Sequence, residues 1–258
     1  MSSTEYIHST SNDGILSLRI NRPDRKNALN LAMYQALADG LRAADRDDSV
    51  RVILISGGAD CFTSGNDLAD FISAPPTSPE SPVMQFLFAI SEARKPLVAA
   101  VNGIAVGVGV TMLLHCDLVY AGSNTTFQMP FVNLGLCPEA GSTLLLPRIM
   151  GHQQAAALLL LGETFSAEKA QLLGIITEVC PDDAVLATAE KRAAQLAQQP
   201  AAAVRLTKHL LRRHYAAPLR EAIVEEGAQF IARLKSPEAT EALQAFMQRR
   251  KPDFSRFS

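Results

Sequence analysis

Short apolar runs bounded by glycine, proline or asparagine recur through the first 200 residues and alternate with segments of helical spacing. Runs of this kind predict strands. The predicted strands are Ile15–Ile20, 50–56, Leu97–Val101, 117–121 and Thr126–Gln128. Apolar residues three or four positions apart predict helices at 31–46, 83–93 and about 109–114. Strands that alternate with helices are typical of an α/β fold.

Beyond Pro200 only helical spacing remains. Ala203, Leu206 and Leu210 fall on one face of a predicted helix. A later helix is predicted to start at Ser236, with proline at its first position and an acid next to it. We expect these helices to pack either on the α/β body or on a neighbouring subunit.

Length and charge narrow the class of protein. A chain of 258 residues that is 48% hydrophobic and 19% charged buries a sizeable core. We predict an α/β body over 1–199, holding the functional site, and a helical region over 200–258. Lysine and arginine number 24 against 26 acidic residues, a net charge of -2, so no basic field favours nucleic acid or an anionic membrane surface.

The segment 97–114 is long and apolar enough to raise the question of a membrane span. Asn102-Gly103 and the later glycines interrupt it, so a strand, a turn and a helix are predicted instead. The first residues contain no basic or apolar leader pattern, and Arg-Phe-Ser at the end is not the peroxisomal tripeptide. The expected location is the cytoplasm of a bacterium.

The cysteines form no Cys-x-x-Cys pair, and no histidines stand near them at metal-ligand spacing. We therefore expect reduced, mostly buried thiols and no metal site. The four are Cys61, Cys116, Cys137 and Cys180. The histidines at 115, 152, 209 and 214 are interpreted as structural, and no Gly-x-Ser-x-Gly nucleophile motif is present.

Two glycine-bearing turns and one glutamate are the residues on which the main hypothesis about the chemistry rests. Gly65 precedes Asn66 in the first turn, Gly107 precedes Val108 in the second, and Glu139 follows later. Two backbone amides aimed at one point stabilise an enolate oxygen, and one carboxylate carries a proton between neighbouring carbons. Plain turn glycines and an acid at a helix N-terminus are the alternative interpretations.

Four short motifs, in order along the chain, resemble the crotonase superfamily of enoyl-CoA hydratases and isomerases. They are Asn21-Arg22-Pro23 with 26–29, then 64–68, then Lys95-Pro96-Leu97 running into Asn102-Gly103 and Cys116-Asp117, and finally Ala245-Phe246 with 249–252. The resemblance implies a spiral of ββα turns and a C-terminal helical region used in trimerisation, in a homotrimer or a dimer of trimers. It also implies an acyl-CoA thioester substrate, with CoA part of that substrate and no further cofactor.

The resemblance also implies roles for individual residues. The amides of Asn66 and Val108 correspond to the oxyanion hole. Hydratases carry glutamates at two positions that are Thr111 and Phe131 in this chain. Neither of these side chains can activate water or transfer the proton that hydration requires. Glu139 resembles in its placement the catalytic glutamate of peroxisomal-type Δ3,Δ2-enoyl-CoA isomerases.

We expect Phe131, Leu134 and Leu136 to keep water from Glu139, and an apolar wall of this kind to raise the pKa of that carboxyl. Asp67, which adjoins Asn66, is left out of the catalytic set because an aspartate in such a turn commonly binds backbone amides.

Further residues are assigned to substrate binding by the same resemblance. The backbone near Lys26 and Ala28 is expected to contact the CoA adenine and phosphates, and Phe246, Arg249 and Lys251 to reach CoA across a subunit boundary. The substrate-binding set is Lys26, Ala28, Ser64, Gly65, Gly107, Phe131, Leu136, Phe246 and Lys251. The loop at 73–82 and the helix from 83 to 90 are expected to set acyl-chain length. Ordinary surface cations and a core aromatic are the alternative interpretation.

Δ3,Δ2-enoyl-CoA isomerisation in fatty-acid β-oxidation is the predicted activity. Other crotonase activities, such as hydration with an atypical base or thioester hydrolysis, are the alternatives among enzymes. A non-catalytic acyl-CoA-binding module is the alternative from another class.

Overall fold

The computed structural model describes residues 5–67, 70, 78, 80–248 and 250–257. Most of the predicted loop at 73–82, together with Leu68 and Arg249, lies outside the described residues. Nine strands are described: β1 Ile7–Asn12, β2 Ile15–Ile20, β3 Val52–Ser56, β4 Leu97–Val101, β5 Ile104–Val106, β6 Leu118–Gly122, β7 Thr126–Gln128, β8 Phe165–Ser166 and β9 Glu178–Cys180.

Six strands form the larger sheet in the order β1-β2-β3-β4-β6-β9. β1 pairs with β2 in antiparallel fashion, and every later pair in this sheet is parallel. All five residues of β3 and all five of β4 are buried. Parallel strands covered on both faces are typically continuous apolar runs, which is why their sequences were recognisable as strands.

The remaining strands form a smaller sheet in the order β5-β7-β8. The chain therefore places β4 in the large sheet and β5 in the small one, and then repeats this with β6 and β7. A helix follows each such strand pair, after β5 at once and after β7 beyond a short 3-10 turn. This ββα repeat confirms the predicted crotonase-like α/β spiral.

Ten α-helices are described within these ranges. They are α1 Leu31–Arg46, α2 Pro82–Glu92, α3 Val108–Thr111, α4 Ser142–Met150, α5 His152–Leu161, α6 Ala167–Leu172, α7 Val185–Gln198, α8 Ala201–Arg212, α9 Ala216–Leu234 and α10 Pro237–Met247. α7 covers one face of the large sheet through Val185, Ala189 and Ala193. α1 and α2 pack in the main core on the other face.

Most predicted elements are confirmed to within two residues. The predicted helix at about 109–114 is instead α3 followed by a 3-10 turn, Met112–His115. The sequence pattern missed β1, β5, β8 and β9. Three of these have only two or three residues, and β1 is a largely exposed edge strand with few apolar side chains. Such strands carry too little periodicity to be recognised.

The C-terminal helices divide into two groups. α9 packs into the main core through Leu219, Ile223 and Phe230. On α8, the face carrying Leu206 and Leu210 is exposed, so of the two expected packing modes it does not adopt packing on this chain's own body. α8 is instead anchored to this chain by a polar residue, Lys208.

The buried residue of α8 is Lys208. Its ammonium donates to the carbonyl of Lys95 at 2.7 Å and to the carboxylate of Asp117 at 2.6 Å. Burial lowers the pKa of Lys208 to about 8, although Asp117 opposes the shift. A hydrogen-bonded cation thus replaces apolar packing as the contact that fixes this helix.

All four cysteines are free thiols, but only Cys180 is buried. Cys61, Cys116 and Cys137 are half-buried, so the expectation of mostly buried thiols is wrong. Within the described ranges, no helix is long and apolar enough to cross a membrane, and 97–114 folds as strand, strand and short helix.

Asn27 joins the turn after β2 to the segment that follows β3. Its side-chain oxygen accepts from the amide of Arg22 at 2.7 Å, and its side-chain nitrogen donates to the carbonyls of Cys61 at 2.8 Å and Phe62 at 3.1 Å. The residue is buried and has φ +56°, a left-handed conformation that asparagine tolerates better than most residues.

We expect Asn27→Ala to lower the free energy of unfolding by about 3 kcal/mol, because it leaves buried backbone groups without partners. Urea denaturation followed by circular dichroism measures the change. Asn12→Ala, on an exposed edge strand, is the matched control and should change stability by less than about 0.5 kcal/mol. Equal effects from the two variants would contradict the role assigned to Asn27.

Candidate active site

The first predicted oxyanion turn lies at the end of a segment that runs beside β5. Thr63 forms a parallel bridge with Ala105, and the amide of Val106 donates to the carbonyl of Thr63 at 3.0 Å. Gly65 has φ +92°. A Cβ added there would lie 2.8 Å from the carbonyl oxygen of Val106, so only glycine fits this turn without displacement.

The direction of the Asn66 amide follows from its neighbours. The carbonyl of Gly65 and the amide of Asp67 both bond to Leu29, at 2.8 and 2.9 Å. Successive peptide groups of an extended chain point to opposite sides, so the N–H of Asn66 points away from Leu29. It donates to no other residue in the described part of the chain.

A buried tyrosine holds the side chain of the same residue. The hydroxyl of Tyr34 donates to the Asn66 side-chain oxygen. Tyr34 is fully buried, and its ring packs against Phe86 with centroids 5.5 Å apart. Asn66 is therefore fixed through its side chain as well as through its backbone.

The second turn places an amide at the start of a helix. Gly107 has φ +57° and its N–H donates to the carbonyl of Gln128 at 2.9 Å. Val108 is the first residue of α3, and the first amides of a helix have no partner within it. Among the described residues its N–H donates to none.

The two turns are in close contact. A Cβ on Gly109 would lie 2.7 Å from the side chain of Thr63, just as one on Gly65 would meet Val106. Because the two strands run parallel and are paired, Asn66 and Val108 follow them at the same edge. The turn at Asn66 therefore lies beside the turn at Val108, and an oxyanion hole formed by their two amides stays a prediction.

Glu139 is buried, with 6% of its surface exposed. The hydroxyl of Thr111 donates to its Oε1, and among the described residues Oε2 accepts no hydrogen bond. Burial raises the pKa of this carboxyl from 4.5 to about 8. The bond from Thr111 opposes the shift and the nearby Glu226 adds to it. A carboxyl poised near neutral pH can both take and return a proton.

Glu139 is not the acid that serves the next helix, which was the alternative interpretation. α4 starts at Ser142, after Gly141, and has no acid in its first turn. Glu226 of α9 fills that role: its carboxylate accepts from the amides of Gly141 at 2.5 Å and Thr143 at 2.9 Å.

A cavity of about 20 Å³, room for about one water molecule, connects Glu139 with Asn66. Its other described lining residues are apolar or glycine and come from α2 and α9: Val83, Met84, Leu87, Gly227, Phe230 and Ile231. The helical region after residue 199 therefore completes a site that was assigned to 1–199. The sequence pattern missed the α9 residues because helical spacing alone does not show what a face packs against.

Phe131, Leu134 and Leu136 are not among the described lining residues, so the apolar wall was assigned to the wrong segment. Phe131 is buried in the main core instead, and Leu136 packs against that core. A larger cavity of about 480 Å³ lies near 91–94 and 205–220, but no predicted site residue lines it.

The predicted CoA-binding loop lies directly against the first oxyanion turn. The amide of Ser64 donates to the carbonyl of Lys26 at 3.0 Å, and the carbonyl of Ala28 accepts from Arg22 at 3.0 Å. Phe246, by contrast, is 65% exposed at the end of α10, and Lys251 is also exposed. Neither lines the cavity within this chain.

Two remaining polar residues near the site have structural partners. The carboxylate of Asp67 accepts from Arg22 at 2.8 Å, which ties the residue after Asn66 to the turn after β2. His115, interpreted as structural, is fully buried with Nε2 2.8 Å from the carbonyl of Ala140. No group of three or more metal-ligand side chains occurs within the described ranges.

The ββα spiral, with its mostly parallel large sheet and its smaller second sheet, is the fold of the crotonase class. The chain belongs to the enoyl-CoA hydratase/isomerase family, whose model matches residues 10–256. Its fold is shared with OdaA of Pseudomonas aeruginosa, a structure that is 49% identical with a TM-score of 0.93, over 95% of this chain and 99% of that one.

Relatives with different activities are equally similar in sequence. Human enoyl-CoA delta isomerase 2 is 36% identical over 95% of this chain and 64% of its own length. The 2,3-dehydroadipyl-CoA hydratase of Escherichia coli is 36% identical over 93% of this chain and 94% of its own. The chain thus spans less than two thirds of the human isomerase. Family membership therefore leaves the reaction to be decided by the site.

The raised pKa of Glu139 predicts a pH-dependent stability difference. The folded protein holds this proton more tightly than the unfolded chain, so the contribution is complete below pH 4.5 and is lost as pH rises to about 8. Glu139→Gln has no such loss and should become increasingly more stable than wild type across that range. Urea midpoints at about pH 5 and about pH 9 measure it. Glu163→Gln, at an exposed position, is the control, and parallel pH curves for all three proteins would contradict the buried carboxyl.

Proposed function

We propose that this protein is a Δ3,Δ2-enoyl-CoA isomerase, which moves the double bond of a 3-enoyl-CoA to the 2-position. The observation that carries the proposal is the single carboxyl, Glu139, in a cavity that it shares with Asn66. Of the residues described there, Glu139 is the only one that ionises. One base is sufficient for an isomerisation, because the proton taken from one carbon is returned to another.

The residues at the two positions where hydratases carry glutamates, Thr111 and Phe131, support the same conclusion. Thr111 is fully buried with its hydroxyl bonded to Glu139, and Phe131 is buried in the core. Neither can activate a water molecule near neutral pH, whereas adding water across a double bond needs an activated water and a proton donor. Hydration is therefore the weaker candidate.

In the proposed mechanism, the thioester oxygen accepts hydrogen bonds from the amides of Asn66 and Val108. Glu139 removes a proton from C2, and the electron pair moves into the carbonyl to give a dienolate. Each amide stabilises the developing charge by about 3 kcal/mol. The protonated Glu139 then donates to C4, so the double bond lies between C2 and C3 and the carboxylate is regenerated.

The environment of Glu139 suits both half-reactions. A base with a pKa of about 8 removes a proton more strongly than an ordinary glutamate and still returns it readily. Since the carboxylate starts the reaction, kcat/KM should rise with pH through this value. The dry lining of α2 and α9 strengthens both the pKa shift and the amide bonds to the oxygen.

We further propose that the substrates are 3-enoyl thioesters produced when unsaturated fatty acyl chains are shortened by β-oxidation. CoA is expected to lie along the turn at Lys26 and Ala28. Contacts from Phe246 and Lys251 would come from a neighbouring subunit, because these side chains are exposed and line no part of the cavity in their own chain.

We propose a homotrimer, or a dimer of trimers, as the working assembly. α8 exposes Leu206 and Leu211 at 57% and 72%, and α10 exposes Phe246 and Met247. Large apolar side chains grouped on exposed helix faces are typical of protein interfaces.

Glu139→Gln should reduce isomerisation of trans-3-hexenoyl-CoA by roughly a thousandfold, because it keeps the shape of the side chain and removes the base. Chromatography of the 2-enoyl and 3-hydroxy products measures the reaction. Glu163→Gln is the matched exposed control and should retain full activity.

Each alternative function gives a different product pattern. Accumulation of the 3-hydroxy thioester by wild type would replace the isomerase with a hydratase, the activity named for the equally similar Escherichia coli relative. Free CoA would indicate thioester hydrolysis. Binding of the substrate without any product, equal in wild type and Glu139→Gln, would identify an acyl-CoA-binding module.

Met84 limits the space beside Glu139. A Cβ on Gly227 of α9 would lie 3.0 Å from the sulfur of Met84, so the two helices touch at this point. The cavity has room for about one water molecule, so an acyl chain fits beside Glu139 only if this flexible side chain moves.

Met84→Ala should therefore raise kcat/KM for a long-chain 3-enoyl-CoA relative to hexenoyl-CoA by about tenfold. Competition between the two substrates in one reaction measures the ratio directly. Met247→Ala, at an exposed methionine, is the control and should leave the ratio unchanged. An unchanged ratio in Met84→Ala would mean that the acyl chain lies elsewhere.

A further inference from the structure

The segment 108–115 contacts the catalytic carboxyl as well as supplying an oxyanion donor. Val108 begins α3, Thr111 ends it, and His115 ends the 3-10 turn that follows without a break. All three residues are buried. Residues three and four apart in a helix lie on one side of it, so the three can face the same neighbour.

Thr111 bonds the carboxyl itself. Its hydroxyl donates to Oε1 of Glu139, leaving Oε2 without a partner among the described residues. Threonine is stiff about its first side-chain torsion, so the hydroxyl fixes the direction of the bond. One oxygen is held while the other is available to the cavity.

His115 bonds the backbone next to the carboxyl. Its Nε2 lies 2.8 Å from the carbonyl of Ala140, which only accepts, so Nε2 carries the proton. Nδ1 has no partner among the described residues. Burial first, and then the nearby Arg212, lower the pKa of His115 to about 3, which keeps the ring neutral and consistent with one donor.

The peptide between Ala140 and Gly141 is held from both ends. His115 donates to its carbonyl, and its N–H donates to Glu226 at 2.5 Å. Ala140 has φ +62°, a left-handed conformation that is unfavourable for alanine. The backbone that carries Glu139 is therefore fixed against an intrinsic preference, and the side chain alone is left to be oriented.

We propose that Thr111 is a positioning residue for the isomerisation. Its hydroxyl holds Oε1 of Glu139 so that Oε2 faces the substrate carbons at a fixed distance from the Val108 amide. Because Thr111 and Val108 belong to one short helix, the base and the oxyanion donor are set by the same rigid element. This inference rests on the proposed function for its kinetic consequences, but the hydrogen bond can be tested without substrate.

Other titratable groups surround the carboxyl from every packed element. They are Tyr34 on α1, Cys137 in the preceding loop, His115 on the 3-10 turn and Glu226 on α9. Burial raises the pKa of Tyr34 and Cys137 and Glu139 adds to both shifts, which keeps the two groups neutral. Glu226 raises the pKa of Glu139, so the Thr111 hydroxyl is the contact that favours the carboxylate.

Removal of the Thr111 hydroxyl should therefore change the pKa of Glu139 in one direction. The bond from Thr111 lowers the pKa of Glu139, so in Thr111→Val that pKa rises further and less carboxylate is present near neutral pH. The rising limb of kcat/KM against pH should move upward by about one pH unit. At high pH, where the base is ionised, kcat should remain about tenfold lower because the carboxyl is less well oriented.

The experiment compares wild type, Thr111→Val and Thr111→Ser by two readouts. The first is kcat and KM for trans-3-hexenoyl-CoA across the pH range. The second is an infrared titration of Glu139 in the ligand-free protein, identified by subtracting the spectrum of Glu139→Gln. We expect Thr111→Val to shift both midpoints and lower kcat with KM within about twofold, and Thr111→Ser to restore wild-type behaviour.

Thr125→Val is the matched control, because Thr125 is also buried and its hydroxyl bonds the carbonyl of Val101 at 3.2 Å instead of a site residue. It should leave both midpoints unchanged. If Thr111→Val does not fold, as judged by circular dichroism, Thr111→Ala carries the same expectation. Unshifted midpoints and full kcat in the folded variant would overturn the role of Thr111.

Failure of the two proposals can be told apart. If wild type produces no 2-enoyl thioester, the proposed function is wrong, and the infrared midpoints still decide whether Thr111 controls Glu139. If wild type isomerises but Thr111→Val is indistinguishable from it, the function stands and the positioning role is wrong.

Discussion

The close backbone approach between the segment at Thr63 to Asn66 and β5 is the constraint on which the site depends. Paired parallel strands bring two turns to one edge, and glycine at 65 and 109 allows them to touch, since a Cβ at either position would meet the opposite segment at 2.8 or 2.7 Å. The proposed sharing of one substrate oxygen by the amides of Asn66 and Val108 depends on this close approach. The substrate oxygen is expected to complete hydrogen bonds that the described part of the chain leaves open.

A second constraint is the burial of Glu139 among apolar side chains of α2 and α9. The cost of an uncompensated charge there raises the pKa of the carboxyl, and one hydroxyl, from Thr111, limits the rise. The pKa of this carboxyl is thus set by a balance between desolvation and a hydrogen bond. Both contributions come from elements far apart in the sequence, so the balance exists only in the folded chain.

Two sets of hydrogen bonds support the site, one at the turn of Asn66 and one at the segment that carries Glu139. Asn27 and Arg22 hold the turn after β2 against the first oxyanion segment, while Tyr34 fixes the Asn66 side chain. Glu226 attaches α9 to the start of α4 through the N–H of the same peptide whose carbonyl His115 holds. Most of these polar groups are buried or half-buried and hydrogen-bonded, which makes their geometry specific as well as stable.

The strands β2, β3, β4, β6 and β7, the helix α1 and the glycine turns were predictable because their signals are local. Apolar runs, helical spacing and the need for glycine at positive φ all depend on residues that are close together in the sequence. The assignment of the Asn66 and Val108 amides to an oxyanion hole came from those turns and from the family motifs, and it stays a prediction. The water-excluding wall was assigned to Phe131, Leu134 and Leu136, and the structure places it instead on α2 and α9.

This difference separates what the sequence determines from what the tertiary structure determines. The sequence by itself determined the alternation of strands and helices, the two glycine turns and the acid at 139 that the proposed chemistry uses. Tertiary structure decided which faces surround that acid, how its pKa is set and that Thr111 contacts it. The physical reason is that desolvation and side-chain hydrogen bonds depend on distances between segments more than 25 residues apart, which no local pattern encodes.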